Sequence, residues 1–458
     1  MKHTDQSDAA AQSAGRIGTG RGLLALSPIV VFLLLYVAVS VIIGDFYKMP
    51  LSIAFIIASM WALLLMPRMK VAERIEIFSS GAANSNILYM IWIFILAGAF
   101  SALAKGVGAI DATVNLTLSV LPASFLVPGL FVVTCFISMS IGTSVGTVVA
   151  LTPFAVQLAH STGSPVAYMV AVVLGGSFFG DNLSFISDTT IAATRSLHVK
   201  MNDKFKTNLW IALPAALVVL TVYIITSGQQ LGETVPVQAV DASQWVLIVP
   251  YLIVIVTAMI GINVTVVLTL GIIACIVIAL AMSSVTAGLI DMCGLMGDGI
   301  AGMSDLIIVT LLAAGMLEVI SYNGGITYII QVLTRHISGQ RGAQAVTALL
   351  VSLVNVCTAN NTIAIITVGK IARQVALRFG IDPRKSASLL DTCSCIVQCI
   401  IPYGAQTLMA AGLAKMSPVS FLPYLYYCWA LAAMVVLSII FNSPHSGSKA
   451  SAQNQVDE

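Results

Sequence analysis

The segment Gly180-Asp-Asn-Leu-Ser-Phe-Ile-Ser-Asp-Thr-Thr190, GDNLSFISDTT, places two carboxylates, two serines and two threonines within eleven residues. It directly follows a glycine-rich stretch inside a long apolar region. Asp181, Ser184 and Asp188 are spaced to share one face of a helix. Because the glycines and the Ser/Asp/Thr run compete with helical hydrogen bonds, the segment predicts a helix that is broken beside these polar side chains.

The chain around this segment is strongly apolar. Of its 458 residues, 58% are hydrophobic and 9% are charged, and the mean hydropathy is +0.99. Soluble domains have about 25% charged residues. Apolar runs long enough to cross about 30 Å of hydrocarbon recur along the chain. These runs predict an all-α polytopic membrane protein with about ten to fourteen spans, since lipid-exposed backbone must satisfy its own hydrogen bonds.

A shift of 217 residues aligns the chain with itself without gaps. The shift places Gly98 on Gly315 and Ser177 on Ser394, and it places the last residue of the opening segment on Thr407. Each match is weak, but all of them share one offset, which predicts two structural repeats.

Basic residues are distributed oppositely in the paired loops. Residues 195–206 contain four basic side chains, Lys204 among them, whereas 412–423 contain only Lys415. Residues 156–168 contain no Lys or Arg, whereas 373–385 contain four such residues. Because cytoplasmic loops collect Lys and Arg, the repeats are predicted to be inverted. Inverted repeats are typical of secondary transporters, whose substrate sites lie near the membrane midplane.

The predicted organisation has five parts. They are a polar cytoplasmic N-terminus (1–22), a first inverted repeat (23–227), a linker loop (228–244), a second inverted repeat (245–441) and a disordered cytoplasmic tail (442–458). The basic loops place both termini of this multi-pass protein in the cytoplasm, and we expect it in the cell (inner) membrane.

Four of the nineteen acidic residues lie within apolar runs: Asp181, Asp188, Glu318 and Asp391. A charge at the bilayer centre costs about 2.5–3.5 kcal/mol on insertion scales, so intramembrane acids are by default candidate ion or proton sites. A buried structural hydrogen bond or ion pair is the open alternative, most of all for Glu318. Lys105 is interpreted as a snorkelling cation at a span end, with a counter-ion role left open.

Two further polar breaks occur at IGTSVGT (141–147) and TANNT (358–362). The 217-residue shift places Thr143 on Asn360 and Ser144 on Asn361. At membrane depth such breaks are tolerated where they line a cavity. Packing of Ser, Thr and Asn between helices is the alternative.

A fourth polar segment runs from Asp391 to Thr407, where Pro402 and Gly404 predict another helix break. The shift pairs Gln398 with Asp181 but pairs Asp391 with an apolar residue. We therefore predict one main ion site, biased to the first repeat. The candidate cation- and proton-binding set is Asp181, Asp188, Ser184, Ser187, Thr189, Thr190, Thr143, Ser144, Asn360, Asn361, Asp391 and Gln398.

Oxygen-rich clusters suit Na⁺, which prefers oxygen ligands as the harder divalent ions do. A carboxylate that holds either Na⁺ or a proton is the simplest device for exchange, and Asp181 and Asp188 are predicted to be the Na⁺-binding carboxylates. No catalytic constellation such as HExxH is present in the sequence, so neither an enzyme nor a cofactor is predicted. A passive channel is disfavoured by the buried titratable acids, and the net charge of +2 gives no indication of nucleic-acid binding.

The motif GGSFFGDNLSFISDTT (175–190) resembles the signature of the NhaC-type Na⁺/H⁺ antiporters, Gly-Asp followed by Ser-x-x-Ser-Asp-Thr-Thr. GTSVGT (142–147) and IIPYGAQTLMAAGL (400–413) are similar to further segments of that family. The resemblance covers about residues 140–415. It implies the ion transporter superfamily, with inverted repeats, paired hairpins or broken helices, and often an elevator-type arrangement.

The expected function is Na⁺/H⁺ antiport at a mid-membrane carboxylate site by alternating access. The alternative is a Na⁺- or H⁺-coupled transporter or exchanger of a small organic solute, an amino acid or a dicarboxylate, because relatives of the resembled family include such proteins. The expected partners are Na⁺, H⁺ and the lipid bilayer, without nucleic acid. An organic solute and a homodimer are open alternatives.

Overall fold

The computed structural model describes residues 17–43, 50–185, 187–230, 244–282, 288–335 and 337–443. Every regular element in these ranges is a helix. Most of the predicted N-terminus (1–22), linker (228–244) and tail (442–458) lies outside the described residues. The roles predicted for those segments stay predictions.

Ten of the described helices precede the linker. They are α1 Thr19–Ile43, α2 Leu51–Leu64, α3 Val71–Ala82, α4 Ser85–Gly106, α5 Ala109–Val120, α6 Leu126–Ile141, α7 Ser144–Thr162, α8 Val166–Leu183, α9 Asp188–Leu197 and α10 Met201–Gln230. A short 3₁₀ helix, Ala123–Phe125, joins α5 to α6.

Ten helices of the described ranges follow the linker. They are α11 Gln244–Met259, α12 Val264–Ala281, α13 Leu289–Ala301, α14 Ser304–Tyr322, α15 Gly325–Thr334, α16 Gly339–Thr358, α17 Asn361–Phe379, α18 Pro383–Ile400, α19 Ala405–Ala414 and α20 Tyr426–Ile440. A 3₁₀ helix, Pro418–Tyr424, precedes α20 and meets it at a 59° bend.

Within the described ranges, eight helical segments are long and apolar enough to cross a membrane, or nine if the bent pair forms one span. Five shorter apolar helices of 10–17 residues accompany them. The predicted range of about ten to fourteen spans is reached only if some of these shorter helices also cross. Large apolar side chains face outward around the bundle, for example Trp210 at 70% exposure, as expected of a protein whose solvent is lipid.

Helix boundaries recur at the 217-residue offset. The consecutive helices α7, α8 and α9 coincide at both ends with α17, α18 and α19 when shifted by that amount. The left-handed residues that end helices recur too: Gly163 and Gly380 have φ of 68° and 66°, and His198 and Lys415 both have φ of 53°. The two halves therefore share local structure. Their opposite orientation in a bilayer stays a prediction.

Each half also has a matching side chain-to-backbone hydrogen bond between two of its helices. In the first half, the Ser138 hydroxyl on α6 donates to the carbonyl of Ser177 on α8, with an Oγ–O distance of 2.6 Å. In the second half, the Asn355 amide on α16 donates to the carbonyl of Ser394 on α18, with an Nδ2–O distance of 2.7 Å. These side chain-to-backbone bonds hold α8 and α18, the helices that precede the breaks, against α6 and α16.

The short helices that follow the breaks pack on the opposite half. Helix α9 lies against α17, and α19 lies against α7. The α9–α17 contact is close, because a Cβ on Gly369 of α17 would meet the Ser196 hydroxyl of α9 at 2.5 Å. This exchange brings the polar breaks of both halves to one place in the bundle.

Candidate functional site

The helix breaks open on a shared cavity of about 410 Å³. Its polar lining comes from helix ends in both halves: Thr143 and Ser144 at α7, Asp181 at α8, Asp188 and Thr189 at α9, Asn360 and Asn361 at α17, Gln398 at α18 and Gln406 at α19. The lining also reaches Asn86, Tyr89 and Asn263, which are exposed at the starts of α4 and α12. The cavity thus connects an exposed rim to the buried helix ends.

Local sequence explains why the helices end here. Helix α8 ends because Ser184 is extended, with ψ of 141°, and α9 begins where the Ser187 hydroxyl caps it by accepting from the Thr190 amide. Helix α18 likewise ends at an extended Ile401, and Gly404 precedes α19. The breaks predicted at these two places by the Ser/Asp/Thr run and by Pro402 and Gly404 are present.

Asp181 is the buried carboxylate of the cavity, with 5% of its surface exposed. The Ser144 hydroxyl donates to its Oδ2 at 2.6 Å. Ser144 is the first residue of α7, so this carboxylate lies beside the amino end of a helix, where the backbone dipole favours negative charge.

A chain of amides links Asp181 to the second half. Gln406 Nε2 donates to Ser144 Oγ at 2.9 Å, and Gln398 Nε2 donates to Gln406 Oε1 at 3.1 Å. Gln398 Nε2 also reaches the Ala359 carbonyl at 3.1 Å. Within the described part of the chain, the buried Gln398 Oε1 has no hydrogen-bond partner. This leaves an acceptor oxygen at a cavity-lining residue, where a cation could use it.

Asp188 differs from Asp181 because its side chain is exposed. It lines the cavity as the first residue of α9, and a carboxylate in a first helical turn also complements the helix dipole. Its neighbour Thr189 lines the cavity as well, and the hydroxyls of Ser187 and Thr189 are 2.7 Å apart.

Asn360 and Asn361 line the cavity but also have local partners. The Asn360 side chain caps α17 by accepting from the Ile363 amide at 3.0 Å. The Asn361 Oδ1 accepts from the Thr362 amide at 3.0 Å. Thr143, at the matching position before α7, makes no side-chain cap, so the two breaks share backbone geometry but differ in side-chain use.

Four predicted site residues do not line the cavity. Ser184 is buried and donates to the Met139 carbonyl at 3.0 Å, and Ser187 caps α9. Thr190 and Asp391 lie behind the cavity wall with Lys204, whose Nζ is 2.6 Å from Thr190 Oγ1 and 2.5 Å from Asp391 Oδ2.

The interpretation of Lys204 as a cytoplasmic loop cation was wrong. Its side chain is 1% exposed and lies in the first turn of α10, pointing into the bundle. Its Nζ also donates to the Asn182 carbonyl at 2.9 Å, and Asn208 Nδ2 donates to Asp391 Oδ2 at 2.8 Å. A loop cation would be solvated, whereas this ammonium has three buried oxygen partners.

Sequence reasoning also missed Gln406, which joins the two halves of the site. It lies in the segment already singled out (391–407), and the shift pairs it with Thr189, a predicted site residue. That pairing was the signal that could have found it. The two unassigned ionisable residues, Glu318 and Lys105, have exposed side chains and do not line the cavity.

A helical membrane protein whose broken helices surround a carboxylate-containing cavity has the architecture of a secondary transporter. The sequence profile of the Na⁺/H⁺ antiporter family matches residues 21–228 and 205–443. The chain belongs to the Na⁺/H⁺ antiporter family, which consists of transporters rather than enzymes.

Several named proteins are similar over most of the chain. The malate-2H⁺/Na⁺-lactate antiporter of Bacillus subtilis is 21% identical over 92% of this chain and 94% of that protein. The Na⁺/H⁺ antiporter NhaC of Alkalihalophilus pseudofirmus is 22% identical over 76% of this chain and 80% of that protein.

A solved structure, that of the Alcanivorax borkumensis YdaH transporter, has a TM-score of 0.40 at 14% identity, covering 81% of this chain and 88% of that chain. This similarity is too low to bear on the fold.

Proposed function

We propose that the protein exchanges Na⁺ for H⁺ at the cavity carboxylates, with Asp181 as the principal acceptor and Asp188 as the second. The observation that carries this proposal is a buried carboxylate whose described hydrogen-bond donors both belong to one uncharged residue, the hydroxyl and the backbone amide of Ser144. No Lys or Arg occurs among the described residues that line the cavity. The negative charge of Asp181 is therefore left for an ion from outside the protein.

Exchange follows from competition for one charge. A bare carboxylate is costly away from water, so Asp181 favours states in which either Na⁺ or a proton neutralises it. Both cannot occupy the same oxygens at once. Alternating access then exposes the carboxylate to one side of the membrane with Na⁺ bound and to the other with a proton bound, and this couples the two gradients.

Oxygen atoms near Asp181 complete the proposed Na⁺ site. The Gln398 Oε1 is a buried acceptor without a described partner, and Thr143 and Thr189 add hydroxyls to the lining. Helix ends from both halves contribute, so movement of one half against the other would open and close the site.

A second candidate is exchange or cotransport of a small organic solute. The volume of about 410 Å³ exceeds the needs of one Na⁺ and falls among small-molecule pockets, which span about 300–1,000 Å³. Amide side chains in the lining could orient such a solute. The lack of a basic side chain among the described lining residues disfavours a dicarboxylate.

The test is Na⁺-dependent dequenching of a pH dye in everted vesicles. We expect Asp181→Asn to abolish it and Asp188→Asn to reduce it strongly. Glu318→Gln is the matched control, because it removes an acid from an apolar helix outside the cavity, and it should retain the signal. Full activity in Asp181→Asn would refute the proposed site. Added solutes that change dequenching in the wild type would favour the second candidate.

A further inference from the structure

The ammonium of Lys204 lies inside the break of the first half. It has three oxygen partners: the Asn182 carbonyl at the end of α8 at 2.9 Å, Thr190 Oγ1 on α9 at 2.6 Å, and Asp391 Oδ2 on α18 at 2.5 Å. An ammonium has three N–H donors, so this one is fully used. We infer that Lys204 is a tethered cation occupying a second cation site, adjacent to the one proposed at Asp181.

The second half shows the same break without the cation. There the Thr407 hydroxyl donates directly to the Cys399 carbonyl at 3.1 Å. The 217-residue shift pairs these two groups with the Thr190 hydroxyl and the Asn182 carbonyl. In the first half the ammonium is therefore inserted between two oxygen-bearing groups that bond each other when no cation is present.

The charged pair has no counterpart in the other half. Lys204 corresponds to Phe421 and Asp391 corresponds to Leu174, both of which are fully buried apolar side chains. Apolar side chains occupy the corresponding positions in the second half, so apolar packing alone could join helices at this place. The first half instead buries two charges, which is favourable only with close geometry and further hydrogen bonds.

The ligand set is that of an alkali-metal site. A backbone carbonyl, a hydroxyl and a carboxylate are the oxygen donors that hard cations bind in proteins. Two further oxygens are buried there without hydrogen-bond partners among the described residues: Asp391 Oδ1 and Asn208 Oδ1. The site thus offers more oxygen ligands than the ammonium uses.

A tethered cation at Lys204 would limit the number of ions that the protein moves in each cycle, a consequence that rests on the proposed function. Lys204 supplies a positive charge that cannot leave the protein, so only the cation at Asp181 is exchanged. Removing the Lys204 side chain should leave its oxygen ligands free to bind a free cation. This expectation holds whether or not Asp181 binds a cation.

The test is cation-dependent thermal stability of purified protein, measured in NaCl, LiCl, KCl and choline chloride at one ionic strength. It uses Lys204→Ala in the Asp181→Asn background. Ligand that binds only the folded state raises stability with concentration. We expect the unfolding midpoint of this double variant to rise with Na⁺ or Li⁺ but not with choline. Lys204→Met in the same background keeps the volume filled and should show no rise.

The outcomes distinguish failure of the tethered-cation inference from failure of the proposed function. A double variant without a Na⁺- or Li⁺-dependent rise beyond that of Lys204→Met would overturn the tethered-cation inference. If Asp181→Asn alone keeps the wild-type rise of the unfolding midpoint with Na⁺, the proposed function fails at that residue. The tethered-cation inference is still tested in that case, because it depends on the difference in midpoint between Lys204→Ala and Lys204→Met. Recovery of folded Lys204→Ala protein in NaCl but not in choline chloride supports the inference. Loss in both salts while Lys204→Met folds overturns it.

Discussion

Gly180 fixes the position of the candidate carboxylate because it lets α8 approach α6 closely. A Cβ at Gly180 would lie 2.6 Å from the Met139 backbone nitrogen, and closer still to Ser138 Cβ. Non-bonded carbon contacts are comfortable at about 3.5–4.0 Å. Neither obstacle is the end of a flexible side chain, so Gly180→Ala must move α8 away from α6 by roughly 1 Å or more.

That movement reaches the site directly, because Asp181 is the next residue. Its hydrogen bond to Ser144 is 2.6 Å long, and a shift of about 1 Å would bring it to the limit of hydrogen bonding. Overpacking of this kind costs about 1–3 kcal/mol of stability. Misplacement of a functional group by about 1 Å can lower a rate about 100-fold, so we expect Na⁺-dependent exchange to fall by about that factor.

The assay is dequenching in everted vesicles, together with the unfolding midpoint of purified protein. Gly297→Ala is the control, because a Cβ there meets nothing within 4 Å and lies on the exposed side of α13. The control should keep full activity, and its helix should gain up to about 1 kcal/mol. Exchange in Gly180→Ala equal to that of Gly297→Ala would refute the claim that this contact positions Asp181.

Substitutions at three further positions test other contacts. Gln406→Leu removes the donor to Ser144 and breaks the hydrogen-bond chain between Ser144 and Gln398. Exchange, measured by dequenching, should fall at least tenfold, whereas size-exclusion chromatography should show that the protein still folds. Ser187→Ala removes the cap of α9 and should cost about 0.5–2 kcal/mol in unfolding free energy, whereas Ser187→Asn should restore most of it. Gly299→Leu should lower the unfolding midpoint sharply, because even a Cβ there would lie 2.8 Å from the Gly98 backbone carbon, and an unchanged midpoint would contradict that packing.

The sequence predicted the helix breaks well because their signals are local. Glycine, proline and runs of Ser, Asp and Thr act on the backbone of their own segment, so the ends of α8 and α18 could be expected from the residues themselves. The 217-residue pairing then indicated which breaks belong together. Eight of the twelve candidate site residues line one cavity.

Contacts between distant segments were harder to predict. Asp391 was expected to contribute to the ion site, yet it pairs with Lys204, which is 187 residues earlier in the chain (391 − 204). The rule that basic residues collect in cytoplasmic loops is statistical, and it cannot distinguish a solvated lysine from one that turns into the bundle. Only the three-dimensional placement of α10 beside α18 shows that difference.

The exchange of α9 and α19 between halves has a consequence for biosynthesis. Helix α9 leaves the ribosome long before its packing partner α17 exists, since residues 198–360 must be translated in between. Until then the nascent first half has an uncovered face at the very segment that carries Asp188. We therefore expect that neither half inserts as a stable unit alone, and that co-expressed halves regain protease resistance only when both are synthesised in the same cell.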